Sequence, residues 1–361
     1  MIPVSKTCLP AIDDYLRQLE PVWRSGWITN AGVLTQTLAE QLRAYLAVAN
    51  IELVANGTLA LQLAIKVLGL SGEIITTPFS YVATTTAILW QHCDPVFVDI
   101  EMQNFCINPD LIEAAITPRT TAILATHVYG YPCAVEKIAL LAEKHSLKVI
   151  YDAAHAFGVK LNGQSILNYG DISTLSFHAT KLFHSAEGGG LVCKDEQIAA
   201  QIALLKQFGH EGEDEYVLGG INAKLSELHA AMGLCMLPKV TEIIANRLPQ
   251  FNCYDTLLAA SGLVRPPIAA NVDYNYAYYP LIFPSHQQLM KVRQALMTHD
   301  IVPRRYFYPA LNTLPYLRPD LQKPCPNAED IANRVLCLPV YYGLEIADIE
   351  KICHIIIAAM R

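Results

Sequence analysis

The sequence predicts an α/β fold: a large three-layer α/β domain around a mainly parallel sheet, followed by a smaller C-terminal α+β domain. Three observations carry that reading. Short apolar runs alternate with segments of helical periodicity through the first half of the 361 residues. Polar and glycine-rich turns follow several of those runs, where open parallel sheets place their ligands. After a long helical stretch at 224–260, the chain becomes rich in proline and tyrosine. The expected division therefore falls at 240, with 1–240 as the large domain and 241–361 as the small one.

In chain order, a helix is expected near 12–19, then a strand at 51–55, a turn at Asn56-Gly57-Thr58 and a helix at 59–68 with apolar residues at helical spacing. Further strands are expected at 73–77, 95–100, 121–126, 148–151, 172–177 and 190–193, with helices between most of them. The clearest 3.6-residue periodicity lies at 134–144 and 197–207. The helix expected at 225–237 is rich in small residues and suits a close two-fold contact with a second copy. The tyrosine- and proline-rich segments 274–280 and 303–319, then helices at 328–335 and 346–360, complete the small domain.

Composition removes several classes of function. The 33 acidic and 26 basic residues give a net charge of −7, which argues against a broad basic face for nucleic acid. Ten cysteines are scattered, with no Cys-x-x-Cys pair and no zinc spacing, so they are expected as reduced thiols and no metal is expected. Apolar runs fall short of the ~20 residues that span a membrane, and no secretory leader is read, so a cytoplasmic protein without membrane attachment is expected. The Gly-x-Gly-x-x-Gly of a dinucleotide-binding turn is absent.

The chemistry is concentrated around Lys181, in Ser176-Phe177-His178-Ala179-Thr180-Lys181, followed by Glu187-Gly188-Gly189-Gly190. A lysine after a strand is ordinarily a solvated charge, and an aspartate such as Asp152 is ordinarily a cap or turn former. Their ordered combination reverses both readings. Val149-Ile150-Tyr151-Asp152 is an apolar strand ending in a carboxylate that can hold a proton on a pyridine nitrogen, while Lys181 can form a Schiff base once desolvation lowers its pKa. The turn at Asn56-Gly57-Thr58 opens a helix whose free N–H groups and positive dipole end suit a phosphate. Pyridoxal phosphate is the cofactor that needs all three.

Several longer stretches have a recognisable order. Asn56-Gly57-Thr58-Leu59-Ala60-Leu61, Thr77-Pro78-Phe79-Ser80-Tyr81-Val82-Ala83-Thr84 and His127-Val128-Tyr129-Gly130-Tyr131-Pro132 come first. Asp152-Ala153-Ala154-His155, the 176–181 segment, Gly220-Ile221-Asn222-Ala223-Lys224-Leu225-Ser226-Glu227 and Leu338-Pro339-Val340-Tyr341 follow. Across nearly its whole length the chain thus resembles the DegT/DnrJ/EryC1/StrS family of nucleotide-sugar aminotransferases.

The resemblance implies the pyridoxal-phosphate-dependent transferase fold of type I, like that of aspartate aminotransferase. It makes Lys181 the Schiff-base lysine, Asp152 the partner of the pyridine nitrogen and Tyr81 the residue stacked on the ring. Gly57, Thr58 and Ser176 become phosphate contacts, and His155 stands near the ring 3-hydroxyl, where many relatives carry glutamine. Asn222 is implied to reach the phosphate of the neighbouring subunit, so a homodimer with shared sites is expected. Trp27, Thr29, His178, Lys224, Tyr306 and Tyr308 are the implied substrate-binding residues.

His178 three residues before the lysine resembles the branch that aminates C4 of the sugar, with L-glutamate as donor. With Asn222-Ala223-Lys224 in place of the commoner Asn-Tyr-Arg, the 178–181 segment resembles those that act on dTDP-4-keto-6-deoxy-D-glucose to make deoxyaminosugars for surface polysaccharides, the alternatives being the galacto epimer at C4 or a UDP- or GDP-linked sugar. A related dehydratase branch replaces the lysine by histidine, which Lys181 argues against. Regulators built on this fold add a DNA-binding domain, for which the stretch before Asn56 gives no room.

Overall fold

A computed structural model of the chain describes residues 1–212 and 214–361. Seven strands form the central sheet: β1 (Asn50–Val54), β2 (Glu73–Thr76), β3 (Asp94–Phe97), β4 (Thr120–Thr126), β5 (Lys148–Asp152), β6 (Ile172–Ser176) and β7 (Gly189–Cys193). Their order is β1-β7-β6-β5-β4-β2-β3. Only β7 is antiparallel to its neighbours, and it is so on both sides. Two reversals restore direction, so β1 points the same way as β4, β5 and β6. The C-terminal ends of these four strands therefore share one edge of the sheet.

Period-two alternation divides the strand residues between two cores. Along β4, Ala122 and Leu124 face one core, while Ile123 and Ala125 face the other. The first core is covered by α3 (Gly57–Val67), α4 (Val82–Trp90) and α6 (Glu196–Leu205). On the second lie α2 (Val33–Leu46), α5 (Val135–His145) and the C-terminal elements, with α1 (Ile12–Ser25) beside them. This is the three-layer arrangement. Leu34, Leu38, Leu42 and Leu46 form the buried stripe of α2, each contributing roughly 1.5–3 kcal/mol of burial.

The Ser226-Glu227 pair has a structural use. Ser226 caps α7 (Glu227–Met236), accepting from the His229 N–H. The buried Glu227 carboxylate accepts the Leu34 N–H at 2.7 Å, the Thr35 N–H at 3.0 Å and the Thr35 hydroxyl. It thereby caps α2, whose own N-cap residue Gly32 has no side chain to do so.

The single helix expected across 224–260 is interrupted by a 3₁₀ turn at Leu237–Lys239, where Pro238 removes a backbone donor; α8 (Val240–Leu258) follows. The small residues of α7 pack within the chain instead of remaining free for a second copy: α7 lies on α1 and α2, and a Cβ on Gly233 would meet Leu38 Cδ2 at 2.7 Å. The expectation that every apolar run falls short of a membrane span also needs correction. Glu227–Leu258 is long and apolar enough by length and composition, although half of its most apolar window is buried in the fold.

In the C-terminal part, β8 (Tyr279–Ile282) pairs antiparallel with β9 (Val335–Leu338), and α8 and α9 (His286–Thr298) pack on α11 (Ile346–Met360). Residues Ile2–Pro3 join this part by pairing parallel with Ile301–Val302. Asp99, beyond β3, accepts the Asn327 and Ala328 N–H groups at 2.9 Å each and caps α10 (Pro326–Arg334). That contact ties the C-terminal part to the sheet edge.

Candidate active site

The shared strand edge opens into a cleft of about 450 Å³. Asn56 follows β1 and caps α3, its side chain accepting the Leu59 N–H at 2.9 Å. The first turn of α3 then carries the Gly57 and Thr58 N–H groups, which lack intrahelical partners. Ser176, at the end of β6, lies directly against Gly57: a Cβ there would stand 2.9 Å from Ser176 Cβ. A Cβ on Gly189 would likewise meet the Asn56 backbone at 2.6 Å, so the glycine run of β7 admits the turn that carries Gly57.

Asp152 ends β5 with its side chain buried. Its Oδ2 accepts the Thr84 hydroxyl at 2.7 Å and its Oδ1 the Ala154 N–H at 3.1 Å. Burial raises its pKa, opposed by these hydrogen bonds and by the charge of Lys181. Lys181 enters the same cleft half-buried, with Nζ 3.4 Å from the Tyr278 hydroxyl. Burial pushes its pKa from the ordinary 10.5 to about 8, against the raising effect of Asp152 and Tyr81. The amine therefore loses its proton far more readily than a surface lysine does.

His155 is buried, and its pKa lies well below the ordinary value because burial disfavours the cation and Lys181 adds a like charge. Its Nδ1 accepts the Tyr129 N–H at 3.2 Å, so the neutral ring carries its proton on Nε2. Phe307 stacks on it at 5.4 Å, and Tyr278 tilts against it at 4.6 Å.

The cleft brings together nine of the residues singled out in the sequence. Gly57, Thr58, Ser176, Asp152 and Lys181 form its floor and walls, with Tyr81, His155, His178 and Tyr306 around them. Five others lie elsewhere. Asn222 is exposed, pairs with Gln207 and accepts from Lys224 Nζ at 2.8 Å; that ammonium also sits over the Phe208 ring at 5.1 Å. Trp27 and Thr29 are exposed on the segment after α1. Tyr308 lies against the Arg305 guanidinium at 3.4 Å and does not line the cleft. Tyr278, Arg304 and Glu187 line the cleft without having been singled out, and no salt bridge engages Arg304 among the described residues. For Tyr278 the available signal was the tyrosine-rich segment 274–280, which gave no hint of which ring turns inward.

These residues meet the requirements of pyridoxal phosphate. Gly57 leaves open a cradle that a Cβ would fill, beside the Ser176 and Thr58 hydroxyls and a helix N-terminus. A buried carboxylate is available for the ring nitrogen, an Nε2–H for the ring oxygen and a desolvated amine for the aldehyde. No group of three or more His, Cys, Asp or Glu among the described residues is arranged to hold a metal ion.

A type I fold with a lysine, a buried carboxylate and a phosphate-sized turn at the strand ends is the frame of a pyridoxal-phosphate-dependent enzyme. Residues 11–357 match the profile of the DegT/DnrJ/EryC1/StrS aminotransferase family, and the chain belongs to that family. It is 38% identical, over 99% of both chains, to a dTDP-4-amino-4,6-dideoxy-D-glucose transaminase of Escherichia coli. It is 39% identical to the transaminase of the same name from Shigella dysenteriae, over 97% of this chain and 96% of that one. A GDP-perosamine synthase of Vibrio cholerae is 31% identical over 99% of this chain and 98% of its own. Among solved structures, DesI in the presence of its TDP-sugar product superposes with a TM-score of 0.95 at 31% identity, covering 100% of this chain and 93% of DesI.

Proposed function

We propose that this aminotransferase moves the amino group of L-glutamate to C4 of dTDP-4-keto-6-deoxy-D-glucose, giving dTDP-4-amino-4,6-dideoxy-D-glucose. The observation that carries the reading is the full-length similarity to two transaminases of that name. His178 at the cleft supports it, as the residue that resembles the C4 branch.

The chemistry follows from the placed groups. Bound pyridoxal phosphate supplies an electron sink for the carbon that loses or gains a proton. Lys181, with a pKa near 8, would meet the cofactor aldehyde as a free amine and, once released, would carry a proton at Nζ between the nitrogen-bearing carbon of each substrate and the cofactor's C4′ carbon. Asp152 would hold a proton on the ring nitrogen, and His155 would offer its Nε2–H to the ring oxygen. The Gly57–Thr58 turn and Ser176 would hold the phosphate, and Tyr81 would stack on the ring. Arg304, at the cleft rim, offers a guanidinium to a substrate carboxylate or phosphate. One pocket serves two substrates in turn, so the kinetics are ping-pong.

The site is completed by a second copy in this reading. Asn222, outside its own cleft, would reach the partner's phosphate, while Lys224, Trp27, Thr29 and Tyr308 would contact the substrate. The support is the exposed apolar surface near Asn222, formed by Phe208, Tyr216, Val217, Leu218 and Ile221. The large domain of 1–240 then carries both the cofactor site and the two-fold contact, and 241–361 contributes Tyr278, Arg304 and Tyr306 to the cleft. The enzyme acts in the cytoplasm on soluble sugar nucleotides and supplies deoxyaminosugar for surface polysaccharide.

Two single-turnover half-reactions test this function. L-Glutamate should abolish the visible band of the cofactor-loaded protein, and the dTDP-keto sugar should restore it. If glutamate leaves the band unchanged, or if only a GDP- or UDP-sugar restores it, the donor or acceptor is wrong.

A further inference from the structure

Three buried hydroxyls form a line that ends on Asp152, with Ser80 and Thr126 in the cleft wall and Thr84 between that wall and the carboxylate. Thr84 Oγ1 donates to Asp152 Oδ2 at 2.7 Å, Ser80 Oγ and Thr84 Oγ1 are 2.8 Å apart, and Thr126 Oγ1 donates to Ser80 Oγ at 3.0 Å. All three side chains are essentially excluded from solvent. They come from different elements: Thr126 ends β4, Ser80 lies in the turn after β2, and Thr84 is in the first turn of α4. The direction of the middle bond follows by counting protons. A hydroxyl has one proton to give, and Thr84 gives its own to the carboxylate; Ser80 must then donate to Thr84, and Thr126 to Ser80. Every donor in the line points toward Asp152.

We infer that Thr84, Ser80 and Thr126 are positioning residues, a one-way hydroxyl chain that keeps Asp152 ionised and holds its carboxylate in the orientation needed by the ring nitrogen of the cofactor. The inference rests on the assignment of Asp152 made above. An isolated buried carboxylate would tend to take up a proton and could then no longer hold one on a neighbour. Donors aimed at it favour the ionised form, and each link polarises the next. With Oδ2 held by Thr84 and Oδ1 by Ala154, the carboxylate plane is fixed.

The same helix supplies an internal contrast. Thr85, equally buried, has a hydroxyl without a partner, whereas Thr86 bonds back to the Val82 carbonyl at 3.0 Å. Of three consecutive threonines, only Thr84 reaches the site.

The test compares Thr84→Val, which removes the hydroxyl at nearly constant shape, with Thr84→Ser and with Thr85→Val as a control of the same shape change. The readouts are the dissociation constant of pyridoxal phosphate from the cofactor-free protein, the visible spectrum of the loaded protein, and kcat and KM measured separately. Losing a hydrogen bond to a charged group corresponds to about tenfold to a hundredfold. Thr84→Val should weaken cofactor binding and lower kcat by factors in that range, with KM for the sugar nearly constant, while Thr84→Ser and Thr85→Val stay near wild type.

Repeating Thr84→Val in an Asp152→Asn background separates positioning from packing. There it should add less than about twofold, because the chain acts only through the carboxylate. Full additivity, or a Thr84→Val protein indistinguishable from wild type, would overturn the inference. If Thr84→Val does not fold, Ser80→Ala takes the same tests, with a smaller loss that again vanishes beside Asp152→Asn. An Asp152→Asn protein that binds cofactor and turns over normally would instead overturn the assignment of Asp152, and the role of the chain with it.

Discussion

The depressed pKa of Lys181 makes a quantitative prediction about how the cofactor-free protein captures pyridoxal phosphate. Only the neutral amine attacks the aldehyde, so the capture rate follows the deprotonated fraction of Lys181. With a pKa of about 8, burial being the main cause, roughly a tenth of the amine is neutral at pH 7. For a lysine at the ordinary 10.5 the fraction is about 0.03%, so the site gains about 300-fold at that pH. Because the folded pKa is lowered, the rate should climb about tenfold per pH unit below 7, bend near pH 8 and level off above about pH 9. Stopped-flow absorbance after mixing cofactor-free protein with pyridoxal phosphate across this range would measure it. Asp152 raises the Lys181 pKa, so Asp152→Asn should move the bend to lower pH. A rate still climbing tenfold per unit at pH 9.5 would refute the desolvated-amine argument.

Other perturbations probe the remaining parts. Lys181→Ala should lose the borohydride-reducible cofactor linkage and lower transamination by several orders of magnitude, since nucleophile and proton carrier disappear together; retained turnover would remove Lys181 from that role. Gly57→Ala places a Cβ 2.9 Å from Ser176 Cβ, inside the phosphate cradle, and should weaken pyridoxal phosphate binding at least about tenfold while leaving the fold intact by circular dichroism. For the shared site, Lys181→Ala and Asn222→Ala chains should partly complement when exchanged into heterodimers, because one of the two sites then regains both wild-type residues. Verified heterodimers no more active than their parents would count against a site built from two subunits.

Much of the cleft was legible because its residues sit at strand ends and in the turns just beyond them. Asp152 closes an apolar strand, Ser176 closes the next, and Asn56-Gly57-Thr58 joins a strand to a helix, so linear spacing reports where each must lie. Tyr278 and Arg304 were not legible: they reach the cleft from the C-terminal part, and no periodicity says which side chain of a tyrosine- or arginine-rich run turns inward. Tyr306 and Tyr308 make the same point, since one lines the cleft and the other packs on Arg305. Strand β8 was hidden by Pro280 and by full burial, which erases alternation. Small residues along α7 indicate close packing in the sequence but not the partner, which proved to be α1 and α2 of the same chain. The links from Thr126 to Ser80 and from Thr84 to Asp152 span 46 and 68 positions, a relation that only the folded chain displays.

Amino transfer to C4 of a dTDP-linked keto sugar can be read from the structure of the product. Purified protein loaded with pyridoxal phosphate would be incubated with dTDP-4-keto-6-deoxy-D-glucose and 15N-labelled L-glutamate, and the sugar product examined by NMR. The label should appear on C4, in the equatorial position of dTDP-4-amino-4,6-dideoxy-D-glucose, with one 2-oxoglutarate formed per amine. Label on C3, an axial amine, or an unchanged ketone beside intact glutamate would contradict the proposed function.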